Sequence, residues 1–227
     1  MSLSREQLVD RQVSDWVTRQ RLRRAAEQER SEPTSPTRTV TVTGEFGAMG
    51  DPVASEVAQR LGYTLYDRQV IEMISQRAHM DATIVEEAEQ HQRSYIQSLF
   101  DDGVHAEAME PASYCRRLHE VVGLIGAQGT AVILGRGANV ILGPKRALRV
   151  RCVAPAELRV ARLAERLGLD PHQARRMAAE EDERRIRWVR QSVGGDIRDP
   201  TRYDLVLNTA FMTPSQCAAA VVAAYHA

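Results

Sequence analysis

The chain has 227 residues with 30 acidic and 30 basic side chains, enough for one α/β domain with a full core and small appendages. The balanced charge gives no overall field to draw a nucleic acid or an anionic membrane. No run of 18 apolar residues is present to span a bilayer.

Residues 1 to about 30 alternate charged and apolar residues at helical spacing, with Val9, Val13, Trp16 and Val17 on one face. The segment SEPTSPT, residues 31–37, reads as a linker. The reading is therefore an N-terminal helix and linker over 1–38, docking on its own domain or on a partner subunit as a route to a homodimer. From Thr39 onward, strands alternate with helices. Thr39 to Thr43 predicts a strand, and Pro52 to Leu61 an amphipathic helix with its proline in the first turn. Tyr63 to Tyr66 predicts a second strand, followed by a helix from Arg68 to Ala78. Residues 81–128 read as mostly helical. Thr130 to Leu134 and Ala147 to Ala154 predict two more strands, the latter carrying Arg149 and Arg151. Helices over Pro155 to Leu167 and Pro171 to Arg190, a strand over Tyr203 to Asn208 and a helix over Thr213 to Tyr225 complete the chain. Five short strands separated by helices imply a mostly parallel sheet covered on both faces. Ligands bind such sheets beyond the carboxyl ends of the strands, which directs attention to Gly44–Asp51, Asp67, Gly135–Gly137, Pro155 and Asn208–Thr209.

Cys115, Cys152 and Cys217 are odd in number and far apart, which suits buried positions in a reducing cytosol. The N-terminus is polar and does not read as a signal peptide, so the expected compartment is the cytoplasm. The six histidines show no metal-ligand spacing. Lys145 is the only lysine, so any phosphate chemistry rests on guanidinium groups and backbone amides.

The stretch TVTVTGEFGAMGDPVASEVAQRLGY, residues 39–63, is a strand, a glycine-spaced turn and a helix, the setting of a phosphate-binding loop. In G-x-x-x-x-G-K-[ST], glycines let successive N–H groups face phosphate oxygens, the lysine bridges phosphates and the hydroxyl holds magnesium. With Gly44 in the first position, Gly47 is fourth, Met49 sixth, Gly50 takes the lysine position and Asp51 the hydroxyl position. Loop amides and the helix N-terminus still offer an anion site. The competing reading is a glycine-rich turn.

Thr43-Gly44-Glu45-Phe46-Gly47-Ala48-Met49-Gly50 resembles the loop S-R-E-F-G-S-G-G of the cytidylate kinase-like family, within the P-loop nucleoside monophosphate kinase fold. The resemblance continues through LGYTLYDRQVI (61–71), VILGRGANVIL (132–142), EDERRIRW (181–188) and DPTRYDLVLNT (199–209). That family commonly carries glycine at the lysine position. Gly44 in place of the family's arginine, and Met49 in place of a loop glycine, depart from its pattern.

The resemblance implies a three-layer α/β P-loop kinase fold over 39–227, with a five-stranded parallel sheet, a helical acceptor-binding insertion at 81–128 and a lid at 181–198. It implies transfer of the γ-phosphoryl of ATP to a nucleoside monophosphate such as CMP, with Mg2+. Nucleotide binding falls to Gly44, Glu45, Phe46, Gly47, Ala48, Met49, Gly50, Asp51 and Asn208, with Asp51 also the candidate metal contact. Acceptor binding falls to Asp67, Arg68 and Arg136. Arg136, Arg185, Arg190 and Asp182 form the catalytic set, arginines spreading the charge of the transferred group. Alternatives stand beside these: Asp67 as a helix cap, residues 181–190 as a solvated helix face, and Arg136 as a turn residue. For the whole chain they are an inactive sensor or scaffold that binds a nucleotide or other phosphorylated ligand, and a kinase of another small acceptor. In the insertion, Ser94, Tyr95, Tyr114 and Arg116 are polar enough to recognise a base.

Overall fold

The computed structural model describes residues 38–68, residue 71 and residues 112–227. The expected N-terminal helix and linker, most of the helix expected after Arg68, and the expected insertion up to residue 111 lie outside these.

Strand β1 (Thr39–Gly44) alternates valine and threonine and is buried along almost its whole length. Helices cover both faces of the sheet, so the alternation sorts one core side from the other instead of core from solvent. Val40 and Val42 face one cluster with Val53, Val57, Val132, Val150 and Leu207. On the opposite side the β1 threonines bring hydroxyls into the interior. Thr39 Oγ1 donates to the Gly126 carbonyl (3.1 Å) and Thr43 Oγ1 to that of Val150 (3.4 Å).

The other strands are β2 (Thr64–Tyr66), β3 (Ala131–Leu134), β4 (Ala147–Val153) and β5 (Leu205–Asn208). The sheet order is β2-β3-β1-β4-β5 and every pairing is parallel. This is the five-stranded parallel sheet expected from the strand count. With β1 central, its carboxyl end lies between those of β3 and β4, where the chain reverses its direction of travel across the sheet.

Helix α1 (Gly50–Leu61) packs with α6 (Pro214–His226) on the valine side of β1. On the other side, α2 (Ala112–Gln128) and α3 (Ala138–Arg146) bury Leu118, Val122, Ile125 and Ile141 against Ile133 and Tyr66. Each fully buried aliphatic side chain of this kind stabilises the fold by about 1.5–3 kcal/mol relative to exposure. The last part of the stretch expected as an insertion is thus a core helix. Helix α3 has no counterpart among the elements expected from the sequence. It starts after two glycines and is kinked at Gly143 (φ 61°), which precedes Pro144, so its apolar period is short and interrupted.

Helices α4 (Ala156–Leu167) and α5 (Pro171–Ser192) form a hairpin over the carboxyl end of the sheet. Asp170 starts α5 with a capping box: its side chain accepts from the His172 and Gln173 amides, and Gln173 returns a bond to the Asp170 amide. Val160, Leu163, Ala174 and Ala178 hold the two helices together, and Phe46 packs against them. The end of α5 re-enters the main core through Val189. Cys115, Cys152 and Cys217 are all buried.

Candidate functional site

The loop between β1 and α1 depends on its glycines in different ways. Gly47 has φ 86°, and a Cβ there would lie 3.0 Å from the Arg159 carbonyl oxygen, so both conformation and space exclude a side chain. At Gly50 a Cβ would meet nothing closer than 3.8 Å. The absent lysine is therefore not a steric requirement of this fold. Met49 caps α1 in the left-handed region (φ 60°, ψ 26°) with no side-chain capping bond. It is half-buried and is not among the residues lining the cavities described below.

Helix α5 is bonded directly to this loop. Asp182 accepts the Phe46 amide on Oδ1 (2.8 Å) and Arg159 Nη1 on Oδ2 (2.6 Å). Arg159 also donates to the carbonyls of Phe46 (3.1 Å) and Ala154 (3.2 Å). Arg185 Nη1 donates to the Gly44 carbonyl (2.9 Å), and its Nε to Glu181 Oε1 (2.9 Å). The Phe46 ring lies near the guanidiniums of Arg185 (5.3 Å) and Arg166 (5.8 Å). Glu45 accepts the Ala154 amide (3.3 Å) and faces Arg159 Nε at 3.5 Å. Glu181 also binds Arg184. Burial pushes the Glu181 carboxyl up, but hydrogen bonds from Arg184 and Arg185 outweigh it and leave the group below its usual range.

A cavity of about 330 Å³ opens beside this junction. One wall carries Gly44, Gly50 and Asp51, and the other Arg68, Arg136, Arg184 and Trp188. Arg136 is set by its turn: Gly135, Arg136 and Gly137 have φ of 76°, 53° and 64°. The Gly135 amide donates to the Val42 carbonyl at 2.9 Å, tying the turn to β1. A non-glycine residue held in the left-handed region is strained, and here it is also buried. The Arg136 guanidinium lies 5.2 Å over the Trp188 ring. Burial, followed by the charges of Arg68 and Arg184, pushes it down to about 10. At neutral pH it remains charged, and an incoming anion would relieve the cost of that charge.

The structure brings Gly44, Glu45, Gly50, Asp51, Arg68, Arg136 and Arg185 to one cavity. Asp182 belongs to the junction and lines a smaller neighbouring cavity. Asp67 follows β2, its carbonyl accepts the Ile71 amide (3.1 Å), and it does not line the larger cavity. Arg190 is exposed and lines neither. Asn208 is exposed, with Oδ1 accepting the Ala210 amide (3.0 Å). Its neighbour Thr209 is the buried residue, donating to the Ala48 carbonyl (3.2 Å) and holding Arg162. Arg159, Arg151 and Trp188 are absent from the candidates read from the sequence. The available signal for Arg151 was a charged residue within a strand expected to be buried on both faces.

Across residues 39–210 the sequence matches the family described as cytidylate kinase-like. The chain belongs to that family. The cytidylate kinase of Thermoplasma acidophilum is 26% identical over 181 residues, covering 79% of this chain and 87% of that protein. The cytidylate kinase of Methanopyrus kandleri is 33% identical over 92 residues, 37% of this chain and 48% of that protein. Among solved structures, an uncharacterized protein from Eubacterium ventriosum aligns with a TM-score of 0.63 at 15% identity, covering 84% of this chain and 99% of that one; this likeness is one of fold. In this cytidylate kinase-like chain no described helix is long and apolar enough to cross a membrane. Nor do the described residues bring together three or more His, Cys, Asp or Glu able to hold a metal ion.

Proposed function

We propose that this chain is a nucleoside monophosphate kinase that moves the γ-phosphoryl of ATP to an acceptor such as CMP. The observation carrying the reading is that one cavity joins the phosphate-loop residues Gly44, Gly50 and Asp51 to the arginines Arg68, Arg136 and Arg184. In this reading Arg136, with Arg68 and Arg184, holds the acceptor phosphate. Amides of the loop and of the α1 N-terminus receive the donor phosphates. Arg185, fixed on the Gly44 carbonyl, lies between the two and spreads the charge that develops during transfer. Residues 181–198 act as the lid, whose docking on the loop excludes water. Magnesium suits the donor set, because it binds through one or two carboxylates plus substrate phosphates rather than through a protein cage. Asp51 would hold it, and the ion would supply charge neutralisation on the phosphates.

The test is ADP release from ATP with a panel of monophosphates, CMP, UMP and AMP among them. Turnover with at least one of them is the expected result. The absence both of turnover and of any nucleotide-dependent rise in melting temperature would sink the reading. A second reading, phosphate-ligand binding without turnover, draws on the Phe46 amide being already held by Asp182. Nucleotides that raise the melting temperature without releasing ADP select it.

A further inference from the structure

Arg151 is a buried cation that the reading above does not use. It stands on β4 in register with Thr43, one residue before the loop, and its side chain is only 7% exposed. Nη2 comes no nearer than 3.8 Å to Glu45 Oε1, beyond hydrogen-bond distance, and the guanidinium lies 5.6 Å over the Tyr203 ring. Nη1 is buried with no hydrogen-bond partner. A buried charged donor left unsatisfied costs free energy, and its persistence calls for a ligand or a function.

A cavity of about 160 Å³ adjoins this side chain, lined by Arg151, Arg185 and Arg198 together with Gly44, Glu45 and Asp182. A single water needs only about 10–15 Å³, so there is room for a tetrahedral oxyanion. The two carboxylates in its wall are already engaged, Glu45 by the Ala154 amide and Arg159, and Asp182 by the Phe46 amide and Arg159. The cavity shares Gly44, Glu45, Arg185 and Ile197 with the larger one, so it opens beside a phosphate loop that has glycine where a lysine would stand.

We propose that this small cavity is an oxyanion subsite for a phosphoryl group, with Arg151 Nη1 as its buried donor and Arg185 and Arg198 at its edges. The terminal phosphate of ATP and free inorganic phosphate present the same chemistry. If the group is the donor's, which rests on the kinase reading above, Arg151 supplies the cation missing at Gly50.

The test is calorimetric titration of the full chain with inorganic phosphate, ATP and CMP, in wild type, Arg151→Met, Arg198→Ser and Arg136→Met. Loss of a charge-assisted bond weakens phosphate binding roughly 10- to 100-fold in Arg151→Met, and CMP binding stays unchanged. ATP weakened in parallel assigns the subsite to the donor's phosphoryl; phosphate alone weakened assigns it to the free ion. Either result supports the subsite. Phosphate and ATP affinities at the wild-type level in Arg151→Met overturn it, as does phosphate binding lost only in Arg136→Met. Phosphate binding that depends on Arg151 while neither ATP nor CMP binds would fell the kinase reading and leave the subsite standing. Should Arg151→Met fail to fold, Arg198→Ser decides: its side chain is 57% exposed, about threefold weaker phosphate binding is expected, and no change overturns the proposal.

Discussion

The two walls of the larger cavity treat charge in opposite ways. At the phosphate loop, Glu45 and Asp182 meet Arg159, and Arg185 is directed to Glu181 and the Gly44 carbonyl. Across the gap, burial and then the like charges of Arg68 and Arg184 bear on the Arg136 guanidinium. An anion arriving at Arg136 relieves repulsion. At the loop the carboxylates of Glu45 and Asp182 are already taken up by backbone amides and Arg159. The loop side is thus held together by its own ion pairs, and the Arg136 side by the stack on Trp188.

Breaking the Arg136 side has the largest expected effect. Arg136→Met removes the buried donor and should lower turnover with ATP and CMP roughly 100-fold or more, measured by ADP release; near-wild-type turnover would show that the contrast between the walls has no catalytic meaning. Asp182→Ala attacks the junction that holds the loop. It leaves the Phe46 amide without its acceptor and removes the carboxylate facing Arg159, whose side chain is 12% exposed. A loss of about 2–3 kcal/mol in unfolding free energy is expected by thermal denaturation. Met49→Gly tests the strain stored at the start of α1. Relief of the left-handed conformation should stabilise the fold by about 1 kcal/mol, read as a higher denaturant midpoint.

The smallest effect is on pH. The Glu181 carboxyl lies below its usual 4.5 in the folded protein. Its contribution is therefore complete above about pH 4.5 and is lost as acid is added. The paired arginines are partly exposed, so the expected amount is only about 0.5–1 kcal/mol. Glu181→Gln should accordingly show a shallower drop in melting temperature between about pH 5 and pH 3 than the wild type.

Much of the framework was legible because it rests on local pattern. The valine–threonine strand, the glycine-spaced turn and an arginine between two glycines after a buried strand all announce themselves within a few residues. Arg159 and Trp188 did not, because their partners are remote: Arg159 bonds the Phe46 carbonyl across 113 residues, and Trp188 lies beneath the guanidinium of Arg136. Arg190 shows the limit of reading a charge run. It is five residues beyond Arg185, about 140° around the helix, and so misses a cavity that Arg184, Arg185 and Trp188 line. At the end of β5 the matter turns on a single position, since neighbouring strand residues point to opposite faces. Thr209 goes inward and Asn208 outward.

The stack of Arg136 on Trp188 also equips the molecule with an optical gauge. The chain has two tryptophans, Trp16 and Trp188, so replacing Trp16 with phenylalanine leaves a single tryptophan, with a guanidinium 5.2 Å from its ring. A phosphate that draws that guanidinium away alters the field at the indole. Filling of the cavity at Arg136 then becomes visible as a change in fluorescence, titratable for each monophosphate without ATP, a coupling enzyme or any turnover.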